Sequence, residues 1–569
     1  MSVTTISTTP RVESALRVSD SEGVRWADEA DVVVVGFGGA GVCAALQARA
    51  DGASVIAVDR FEGGGATKLS GGVSYSGGTD VQSEAGFQDS AEEMFKYLQK
   101  QLRGSVSDET LRKFCAASQD DINWLRSHGV RYRGTFEPER VSFPAEGKYL
   151  YYTGNELLPE YLAVAKPAPR GHRPVGKWLG GAHLYTAISQ SALNNGVKLV
   201  PHSPAVRLVV DESGRVIGVE VLRLNPGTPA HKRHEKLKGK FDAYIRYIGG
   251  AKAERVAEEL SRLESEGGER LLIRARRGVV LSTGGFMYNP EMVKKYAPLY
   301  YGVTALGTVS CDGSGIHLGL SVGGDIDCMH RVAPWRQFNR PILPTACLNG
   351  IVVNAAGRRF VSEDAYSATM GEYIVERAGG NAWLIFDRSL YRRALRAALP
   401  GGPGNLAFGG LLSLLVLIFG IRKGRSLEKL AQRLQIDSAG LRETLTGYNQ
   451  SIEREEPDEF GKQQRHRQSL TREPYYAVPL SFTNKLLPGN AITLGGLRVS
   501  EETGNVKRAD GSSIPGLYAA GRAAVGIPSQ CYVSGTSIAD CVFSGRRAGH
   551  SAALQDPAAK LESSTVAAA

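Results

Sequence analysis

Residues 27–60 read ADEADVVVVGFGGAGVCAALQARADGASVIAVDR, and this stretch decides the fold of the chain. The apolar run Val32–Val35 predicts a buried parallel strand. Gly36, Gly38 and Gly41 follow it in GxGxxG spacing, where an Ala-rich helical pattern begins. Such glycines allow a tight turn and bring main-chain N–H groups at the helix N-terminus close to a pyrophosphate, whose charge the helix dipole favours. The stretch therefore predicts a dinucleotide-binding βα unit.

An acidic residue at the end of the next strand supports this interpretation. Asp59 follows the apolar run Val55–Val58, in the position where a carboxylate accepts a hydrogen bond from a ribose hydroxyl. A GxGxxG triplet alone is also compatible with a glycine-rich turn that binds nothing. Strand, glycine turn, helix and terminal acid together favour the dinucleotide.

Two further glycine-rich segments indicate which dinucleotide binds. Gly63–Thr67 reads GGGAT and is followed by Ser70–Gly72, a second cluster that a nicotinamide cofactor does not need. FAD needs one, because its arm between pyrophosphate and flavin runs along backbone that has to come close without side chains. Near the end of the chain, Gly516–Arg522 reads GLYAAGR, and Gly535–Ala548 predicts a helix whose N-terminus faces the flavin pyrimidine. A distant C-terminal segment thus returns to the N-terminal fold.

Length and composition restrict the class of protein. At 569 residues the chain exceeds what one compact core supports, so we expect two domains. The net charge of +10 is concentrated at 231–240, 274–277 and 422–425. We assign these basic runs to solvated loops, with contact to an anionic membrane surface as the alternative. No nucleic-acid-binding module is recognisable in the sequence, and we expect no nucleic-acid partner.

Cysteine usage and the N-terminus predict a cytoplasmic protein. The seven cysteines show neither a CxxC pair nor metal-ligand spacing with histidine, so we expect reduced, mostly buried thiols and no metal site. Residues 1–24 lack the apolar core of a signal peptide.

The predicted fold class is α/β, with a Rossmann-like FAD-binding domain and an inserted α+β catalytic cap domain. Within the first domain, 278–286 (GVVLSTGGF) predicts a strand that ends in a glycine turn, and the polar insertion at 225–269 is expected to be peripheral. The expected divisions are an N-terminal extension at 1–26, the FAD-binding domain at 27–321 and 479–554, the cap at 323–474, and a disordered tail at 556–569.

One segment departs from the pattern of a soluble protein. Asn405–Ile421 reads NLAFGGLLSLLVLIFGI, has no charged residue and is followed by Arg422 and Lys423. It is short for a spanning helix, which needs about 20 apolar residues. The alternatives are a buried helix of the cap, a loop that contacts the membrane surface, and a true span. We expect salt-sensitive peripheral membrane association through this segment.

The ordered motifs GGGAT, STGGF and GLYAAGR, together with a mid-chain RRFVSED, resemble the flavoprotein superfamily of FAD-dependent fumarate reductases and 3-ketosteroid dehydrogenases. In that superfamily the substrate reacts between the flavin and the cap. Where the flavin is covalently attached, a histidine near the second glycine cluster carries it; 67–70 (TKLS) offers none, so the resemblance implies noncovalent FAD. The residues expected at the FAD site are Gly36, Gly38, Gly39, Ala40, Gly41, Asp59, Arg60, Gly64, Gly65, Ala66, Thr67, Gly71, Gly72, Val206, Thr283, Gly284, Gly285, Asp312, Gly521, Arg522, Ser537 and Ile538.

The branches of this superfamily differ in what they present to the substrate. Dicarboxylate reductases place an arginine four residues after the glutamate of an RFVNE-like motif, a histidine before an MGG-like turn, and an arginine near the final helix. Guanidinium groups hold carboxylates in bidentate fashion. In this chain Ser367 stands four residues after Glu363, and 490–493 (NAIT) precedes the turn Leu494–Gly496. The carboxylate clamp is missing.

The cap tyrosine Tyr366 and the Tyr-x-Ser-Gly sequence at 532–535 closely resemble the 5α-specific 3-ketosteroid Δ4-dehydrogenases. The Δ1-dehydrogenases carry a Tyr-Pro-Gly-Pro-Gly-like stretch in the second place, which this chain does not match. The resemblance implies oxidation of a saturated carbon pair next to a ketone, with a hydride passing to flavin and a proton to a protein base. The expected substrate is a small apolar ketosteroid, while the sequence does not name an electron acceptor.

This chemistry assigns roles to the matched residues. Removal of a proton next to a ketone needs a donor to the carbonyl oxygen as negative charge develops. Tyr532, with a main-chain N–H such as that of Gly535, is the candidate donor. A phenol with a pKa near 10 is a poor base at neutral pH, so Tyr366 requires assistance from the Ser534 hydroxyl. By resemblance, Tyr366 and Ser534 act on the α-proton.

Three other functions remain open on the sequence. One is Δ1-dehydrogenation of 3-ketosteroids, and another is reduction of an unsaturated acid, as in the fumarate reductases. The last is flavin binding without catalysis, with Tyr366, Tyr532 and Ser534 as packing residues.

Overall fold

A nine-stranded sheet organises the dinucleotide-binding half of the protein in the computed structural model, which describes residues 12–245, 250–338, 343–399, 410–482, 484, 486–487 and 489–556. The strand Asp28–Val35 lies at its centre, parallel to Val55–Val58 on one side and to Gly268–Leu281 on the other. Burial of these strands on both faces explains their continuous apolar runs. The nine strands are Leu16–Arg17, Asp28–Val35, Val55–Val58, Lys198–Val200, Ala205–Val210, Val216–Leu224, Gly268–Leu281, Asn505–Lys507 and Ser513–Ala519.

The C-terminal segment returns to this sheet. Ser513–Ala519 pairs in parallel with the end of Gly268–Leu281, and the helix Thr536–Leu554 packs on the helix Gly39–Ala50. A Cβ at Gly549 would lie 2.2 Å from the carbonyl oxygen of Ala44, so glycine permits this close helix packing. The predicted α/β fold with C-terminal completion is confirmed.

The cap contains a four-stranded antiparallel sheet with its own apolar core. Its strands, in spatial order, are Ile351–Val353, Trp383–Phe386, Tyr475–Pro479 and Arg422–Gly424. The predicted cap boundary at residue 474 is therefore too early, because Tyr475–Pro479 pairs with Trp383–Phe386 inside this sheet. The predicted N-terminal extension also contributes to the sheet of the other half, since Leu16–Arg17 pairs in parallel with Ala205–Val210.

The two halves are joined by a small sheet. Val332–Trp335 and Asn490–Thr493 run antiparallel, and Thr304–Ala305 adds to the latter. These strands carry the chain into and out of the cap. The remaining strands form two further small sheets, Ser74–Tyr75, Gly171–His172 and Leu150–Tyr151 in one and Ile326–Asp327 and Gly496–Leu497 in the other.

Helices cover both halves. The α-helices are Gly39–Ala50, Gly65–Lys68, Asp80–Glu84, Ala91–Leu102, Asp108–Ala116, Ser118–Ser127, Pro159–Leu162, Gly180–Asn194, Pro229–Lys240, Gly250–Gly267, Pro290–Tyr296, Ser314–Leu320, Ser367–Arg377, Arg388–Ala398, Gly410–Phe419, Leu427–Leu434, Ser438–Glu453 and Thr536–Leu554. A π-helix spans Phe241–Ile245, and 3₁₀ turns span Pro298–Tyr300, Thr345–Asn349, Gln464–His466 and Gly521–Ala523.

The insertion at 225–269 is not peripheral, contrary to the prediction. Its helices Pro229–Lys240 and Gly250–Gly267 pack on each other, and Leu237 and Phe241 belong to a buried apolar cluster that includes Phe61 beside the second glycine cluster. The many charged residues of the insertion led to the peripheral prediction, although one face of its helices is apolar and buried.

The apolar segment Asn405–Ile421 lies partly outside the described residues. Its described part forms the helix Gly410–Phe419, which buries Val416 and Leu417 and exposes Ile418 and Phe419. No helix among the described residues has the length and apolar character needed to cross a membrane. The predicted tail at 556–569 lies outside the described residues beyond Asp556.

Candidate active site

A cavity of ≈ 480 Å³ extends from the carboxyl ends of the central strands to the cap. This is the edge of a parallel sheet at which ligands bind. The predicted cofactor residues on its wall are Gly36, Gly38, Gly39, Ala40, Asp59, Arg60, Gly65, Ala66, Thr67, Gly71, Thr283, Gly284, Gly521, Arg522, Ser537 and Ile538.

Four predicted glycine contacts lie behind this wall instead. Gly41, the last glycine of the GxGxxG turn, faces the strand end: a Cβ there would lie 1.9 Å from the carbonyl oxygen of Gly36. It permits close packing of helix on strand, the usual role of that position. Gly64, Gly72 and Gly285 shape the turns that carry the wall residues.

Asp312 supports the site rather than lining it. Its Oδ2 accepts a hydrogen bond of 2.8 Å from Nη1 of Arg60, whose Nε donates to Oε1 of Glu264 at 2.7 Å. All three side chains are buried, so the two carboxylates fix the guanidinium at the cavity wall.

Val206 also lies off the wall, which Ser203, Pro204 and Ala205 form at this point. The Val206 carbonyl instead accepts a hydrogen bond from the Glu13 N–H. A contact of Asp312 or Val206 with FAD stays a prediction.

The wall has the donors that FAD requires. Nη1 of Arg522 is buried and has no hydrogen-bond partner among the described residues, and the side chains of Arg522 and Ser537 both line the cavity. A phosphate or carbonyl oxygen is the kind of group that satisfies such donors.

Asp59 is held at the cavity edge by main-chain donors. Its Oδ2 accepts from the Phe37 N–H at 2.7 Å and its Oδ1 from the Phe61 N–H at 2.8 Å. Each carboxylate oxygen retains a lone pair for a ribose hydroxyl.

Asp59→Ala is expected to weaken FAD binding by about 1.5–3 kcal/mol, because a charge-assisted hydrogen bond is lost and the glycine turn loses its anchor. Equilibrium dialysis of FAD against the apoprotein measures this. Asp510→Ala, which changes an exposed aspartate, is the control and should bind FAD as the wild type does. Unchanged affinity in Asp59→Ala would show that the ribose is held elsewhere.

Tyr366 stands at the cap end of the cavity and is fixed at three points. It is the N-cap of the helix Ser367–Arg377, and its N–H donates to Oδ1 of Asn155 at 2.7 Å. Its hydroxyl accepts a hydrogen bond of 2.8 Å from Nε1 of Trp335. The phenol is buried and cannot turn away without losing these contacts.

Tyr532 and Ser534 approach Tyr366 from the other half of the molecule. All three line the cavity, and the Tyr532 ring packs edge-on against Trp335 with centroids 4.9 Å apart. The structure thus brings together the three residues that the sequence selected. Their positions in the chain, in the cap and before the last helix, are far apart.

Gly535, predicted as a substrate contact, is not among the residues that line the cavity, but its main chain contributes hydrogen bonding to Tyr532, which does. Gly535 is the N-cap of the helix Thr536–Leu554 at φ 101°, and a Cβ there would lie 2.8 Å from the main-chain nitrogen of Tyr75. Its carbonyl accepts the Tyr75 N–H at 3.2 Å. Glycine is required here to turn the chain so that Ser534 faces the cavity.

Electrostatics keep the site's phenols protonated. Burial raises the pKa of Tyr366 well above its usual range, and hydrogen bonding from Trp335 and Ser534 offsets part of this rise. Burial also raises the pKa of Tyr532, with a partial offset from Ser537 and Arg522. Both residues are therefore mostly protonated at physiological pH, and only a small fraction of Tyr366 is ionised.

Two aromatic residues of the site were missed by the sequence analysis. Trp335 donates to Tyr366, and Tyr151 lines the cavity where Ser534 contributes hydrogen bonding to it. Neither lies in a glycine motif or next to the RRFVSED sequence. Trp335 could have been selected from the sequence only by its position at the end of an apolar strand.

The acidic residues of RRFVSED hold the cap together. Glu363 accepts from Nη2 of Arg359 at 2.7 Å, lies 3.3 Å from Nζ of Lys462 and is fully buried. Asp364 accepts from the main-chain N–H of Gln463 at 2.7 Å. These bonds fix the loop that presents Tyr366.

Comparison with known proteins identifies the family. A family model described as FAD binding domain matches residues 31–538. The chain belongs to this FAD-binding family. FAD is therefore the cofactor, as the glycine motifs predicted, and the predicted superfamily is confirmed.

Three relatives indicate the branch. The chain is 37% identical to the 3-oxo-5-alpha-steroid 4-dehydrogenase of Comamonas testosteroni, over 91% of this chain and 97% of the relative. It is similar to the crystal structure of the 3-ketosteroid-delta4-(5alpha)-dehydrogenase of Rhodococcus jostii RHA1 in complex with 4-androstene-3,17-dione. The TM-score is 0.78 and the identity 29%, over 95% of this chain and 100% of that one. A fumarate reductase (cytochrome) of Shewanella frigidimarina is 26% identical, over 92% of this chain and 77% of the relative.

We expect acid denaturation to release the flavin into the supernatant. The cavity wall formed by the described residues contains no histidine, the residue that carries covalent flavin in the histidine-linked members of this superfamily. Absorbance of the supernatant and the washed precipitate measures the partition. Yellow colour that stays with the precipitated chain would contradict noncovalent binding.

Proposed function

We propose that the protein is a FAD-dependent dehydrogenase that converts 3-keto-5α-steroids to 4-ene-3-ketosteroids. The observation that carries the proposal is the meeting of Tyr366, Ser534 and Tyr532 at one end of a cavity whose other end is the FAD site. The names of the two steroid-dehydrogenase relatives support it.

In the proposed mechanism the two tyrosines have different roles. Tyr532 donates a hydrogen bond to the ketone oxygen, which lowers the cost of removing the proton on carbon 4. The Ser534 hydroxyl accepts that proton as its own proton passes to the ionised Tyr366 oxygen, which becomes a neutral phenol. The Nε1–H of Trp335 donates to this oxygen and stabilises its ionised form. When bound, FAD supplies the acceptor for the hydride that leaves carbon 5. One proton and one hydride leave the substrate, and a carbon–carbon double bond remains.

The residues found where the dicarboxylate reductases have their carboxylate clamp favour an uncharged substrate. Ser367 and Asn490 stand at two of these positions and line the cavity, and neither side chain is charged. A dicarboxylate would find no arginine pair at these positions. We therefore place reduction of small unsaturated acids second.

Anaerobic mixing with 5α-androstanedione tests the proposal. We expect bleaching of the flavin absorbance and formation of the 4-ene-3-ketone, identified by mass spectrometry and by comparison with authentic product. A product desaturated at carbons 1 and 2 would indicate Δ1 chemistry. Oxidation of a reduced dye by fumarate, without bleaching by the steroid, would indicate the reductase.

We further propose that the protein acts in the cytoplasm and attaches to anionic membranes through a patch formed by Leu415, Ile418 and Phe419. These side chains are 38%, 50% and 67% exposed, respectively, on the helix Gly410–Phe419. The exposed Arg422 and Lys423 follow directly, and each cation adds about 1 kcal/mol at an anionic surface. An apolar patch beside cations is the arrangement of an interfacial anchor.

Wild-type protein should float with anionic liposomes at low salt and remain at the bottom of the gradient at high salt. The double variant Ile418→Asp/Phe419→Asp should not float, because its charges oppose insertion. Leu554→Asp, on an exposed leucine (60%) of the C-terminal helix, is the matched control and should float. If the wild type stays at the bottom while soluble and active, the patch does not bind membranes.

A further inference from the structure

A cluster of histidines joins the insertion to the cavity wall. His202 lies in the loop between the strands Lys198–Val200 and Ala205–Val210, and His231 and Glu235 lie one turn apart on the helix Pro229–Lys240. One ligand atom from each of these three side chains lies within 4.8 Å of the other two. The sequence analysis had assigned this basic run to a solvated loop.

The distances between these side-chain atoms are slightly longer than those between the ligands of a small cation. Nε2 of His202 lies 3.9 Å from Oε1 of Glu235, and Nδ1 of His231 lies 3.6 Å from Oε2 of the same carboxylate. Ligand atoms around tetrahedral zinc are about 3.3 Å apart, given bonds of roughly 2.0 Å. Rotation of the partly exposed Glu235 side chain can shorten both of these distances, and the ligand atoms of the two histidines already lie within 4.8 Å of each other.

A buried chain of hydrogen bonds leaves Nε2 of His202 free to bind a metal ion. Nε2 of His234 lies 2.8 Å from Oε1 of the Glu264 carboxylate, which can only accept, so this nitrogen carries a proton. Nδ1 of His234 is then an acceptor for Nδ1–H of His202, 3.2 Å away. The lone pair of His202 consequently lies on Nε2, the atom near Glu235. A hydrogen-bond acceptor behind a ligating imidazole, here Nδ1 of His234, is the usual support of a zinc ligand.

His231 provides a separate observation. Its Nδ1 is buried and has no hydrogen-bond partner among the described residues, although it lies near the Glu235 carboxylate. A buried ring nitrogen without a partner is costly unless a ligand occupies it.

We propose that His202, His231 and Glu235 bind a divalent transition-metal ion, with Zn²⁺ the best match to two imidazoles and one carboxylate. Glu235 is 41% exposed, so a water molecule can complete four-coordination and the ion has an entry path. The site is structural, because none of the three ligands lines the cavity.

The metal would stabilise the cofactor site through residues that support the cavity wall. It ties the insertion helix to the loop whose Ser203 and Pro204 line the cavity, and His234 connects it through Glu264 to Arg60. Binding to the folded chain alone raises thermal stability. Zinc is thus expected to raise the melting temperature and to slow the release of FAD.

The test uses the untagged holoenzyme, stripped with a chelator and equilibrated with Zn²⁺. We expect one zinc per chain by mass spectrometry of the metal after gel filtration. Glu235→Gln and His231→Ala should weaken zinc affinity at least about tenfold in a chelator competition, because each removes a ligand. Zinc should raise the melting temperature of the wild type and fail to do so in these variants.

Controls separate the site from other histidines and from misfolding. His550→Ala removes an exposed histidine of the C-terminal helix and should bind zinc as the wild type does. Retained FAD shows that a variant is folded, and Glu235→Gln changes a partly exposed side chain. Equal zinc affinity in wild type, Glu235→Gln and His231→Ala would overturn the proposal, as would a wild type that binds no zinc.

Discussion

Tyr366→Phe is expected to lower kcat by at least about a hundredfold while FAD stays bound. The phenol oxygen is the final proton acceptor of the proposed relay, and the substitution removes only that atom. Nothing else in the ring's packing changes. The lost acceptor leaves Nε1–H of Trp335 unpaired, which costs about 1–3 kcal/mol of folding stability where that group is desolvated.

Single-turnover flavin bleaching with saturating steroid measures the effect without interference from the electron acceptor. Tyr448→Phe is the matched control, because Tyr448 is a buried tyrosine of the cap that does not line the cavity. It should bleach at the wild-type rate. A Tyr366→Phe enzyme that matches the wild type would remove Tyr366 from the mechanism and leave Ser534 without its proton acceptor.

The pH dependence should follow from the raised pKa of Tyr366. Even at the unperturbed value near 10, about one phenol in a thousand is ionised at pH 7, and burial lowers that fraction further. Because only the ionised phenol can accept the proton, the bleaching rate of the wild type should rise with pH and reach no plateau between about pH 6 and 9.

Tyr532→Phe is expected to lower kcat about 10²- to 10³-fold and also to weaken ketone binding. Its hydroxyl is the proposed donor to the oxygen on which negative charge develops. Ser537 and Arg522 offset part of the rise that burial causes in its pKa, which makes the hydroxyl a stronger donor. The two tyrosine variants should differ in kind. Loss of the proton acceptor slows exchange of the carbon 4 proton with ²H₂O, whereas loss of the donor also raises the Kd of the steroid.

Titration of the flavin spectrum with the product 4-ene-3-ketone gives that Kd directly. Tyr448→Phe again serves as control. Equal steroid affinity in Tyr532→Phe and wild type would show that another group binds the ketone, such as a main-chain N–H at the start of the helix Thr536–Leu554.

The sequence predicted those parts of the molecule in which local chemistry determines position. The strand Val55–Val58 and the helix start at Gly39 follow from apolar runs and glycine spacing, and both are found in the structure. Asp59 could be predicted to lie at the cavity because the end of a strand determines where its carboxylate points. The substrate contact of Gly535 stays a prediction, because a glycine spacing does not reveal whether the residue faces the ligand or turns the chain.

Features that depend on distant partners were not predictable in this way. Trp335 and Tyr366 meet only because the chain enters the cap beside the strand that leaves it. His202 and His231 lie on either side of a strand pair, so no local spacing marks them as neighbours. Tyr475–Pro479 was left out of the cap because its partner, Trp383–Phe386, lies far away in the sequence.

The antiparallel strands Val332–Trp335 and Asn490–Thr493, which connect the two halves, make substrate entry and chemistry interdependent. The cap carries Tyr366, and the dinucleotide-binding half carries Tyr532 and Ser534. Any outward rotation about these strands would separate the proton donor from its acceptor. The enzyme would then be chemically incomplete whenever it is open to solvent, so reduced flavin could form only around an enclosed steroid.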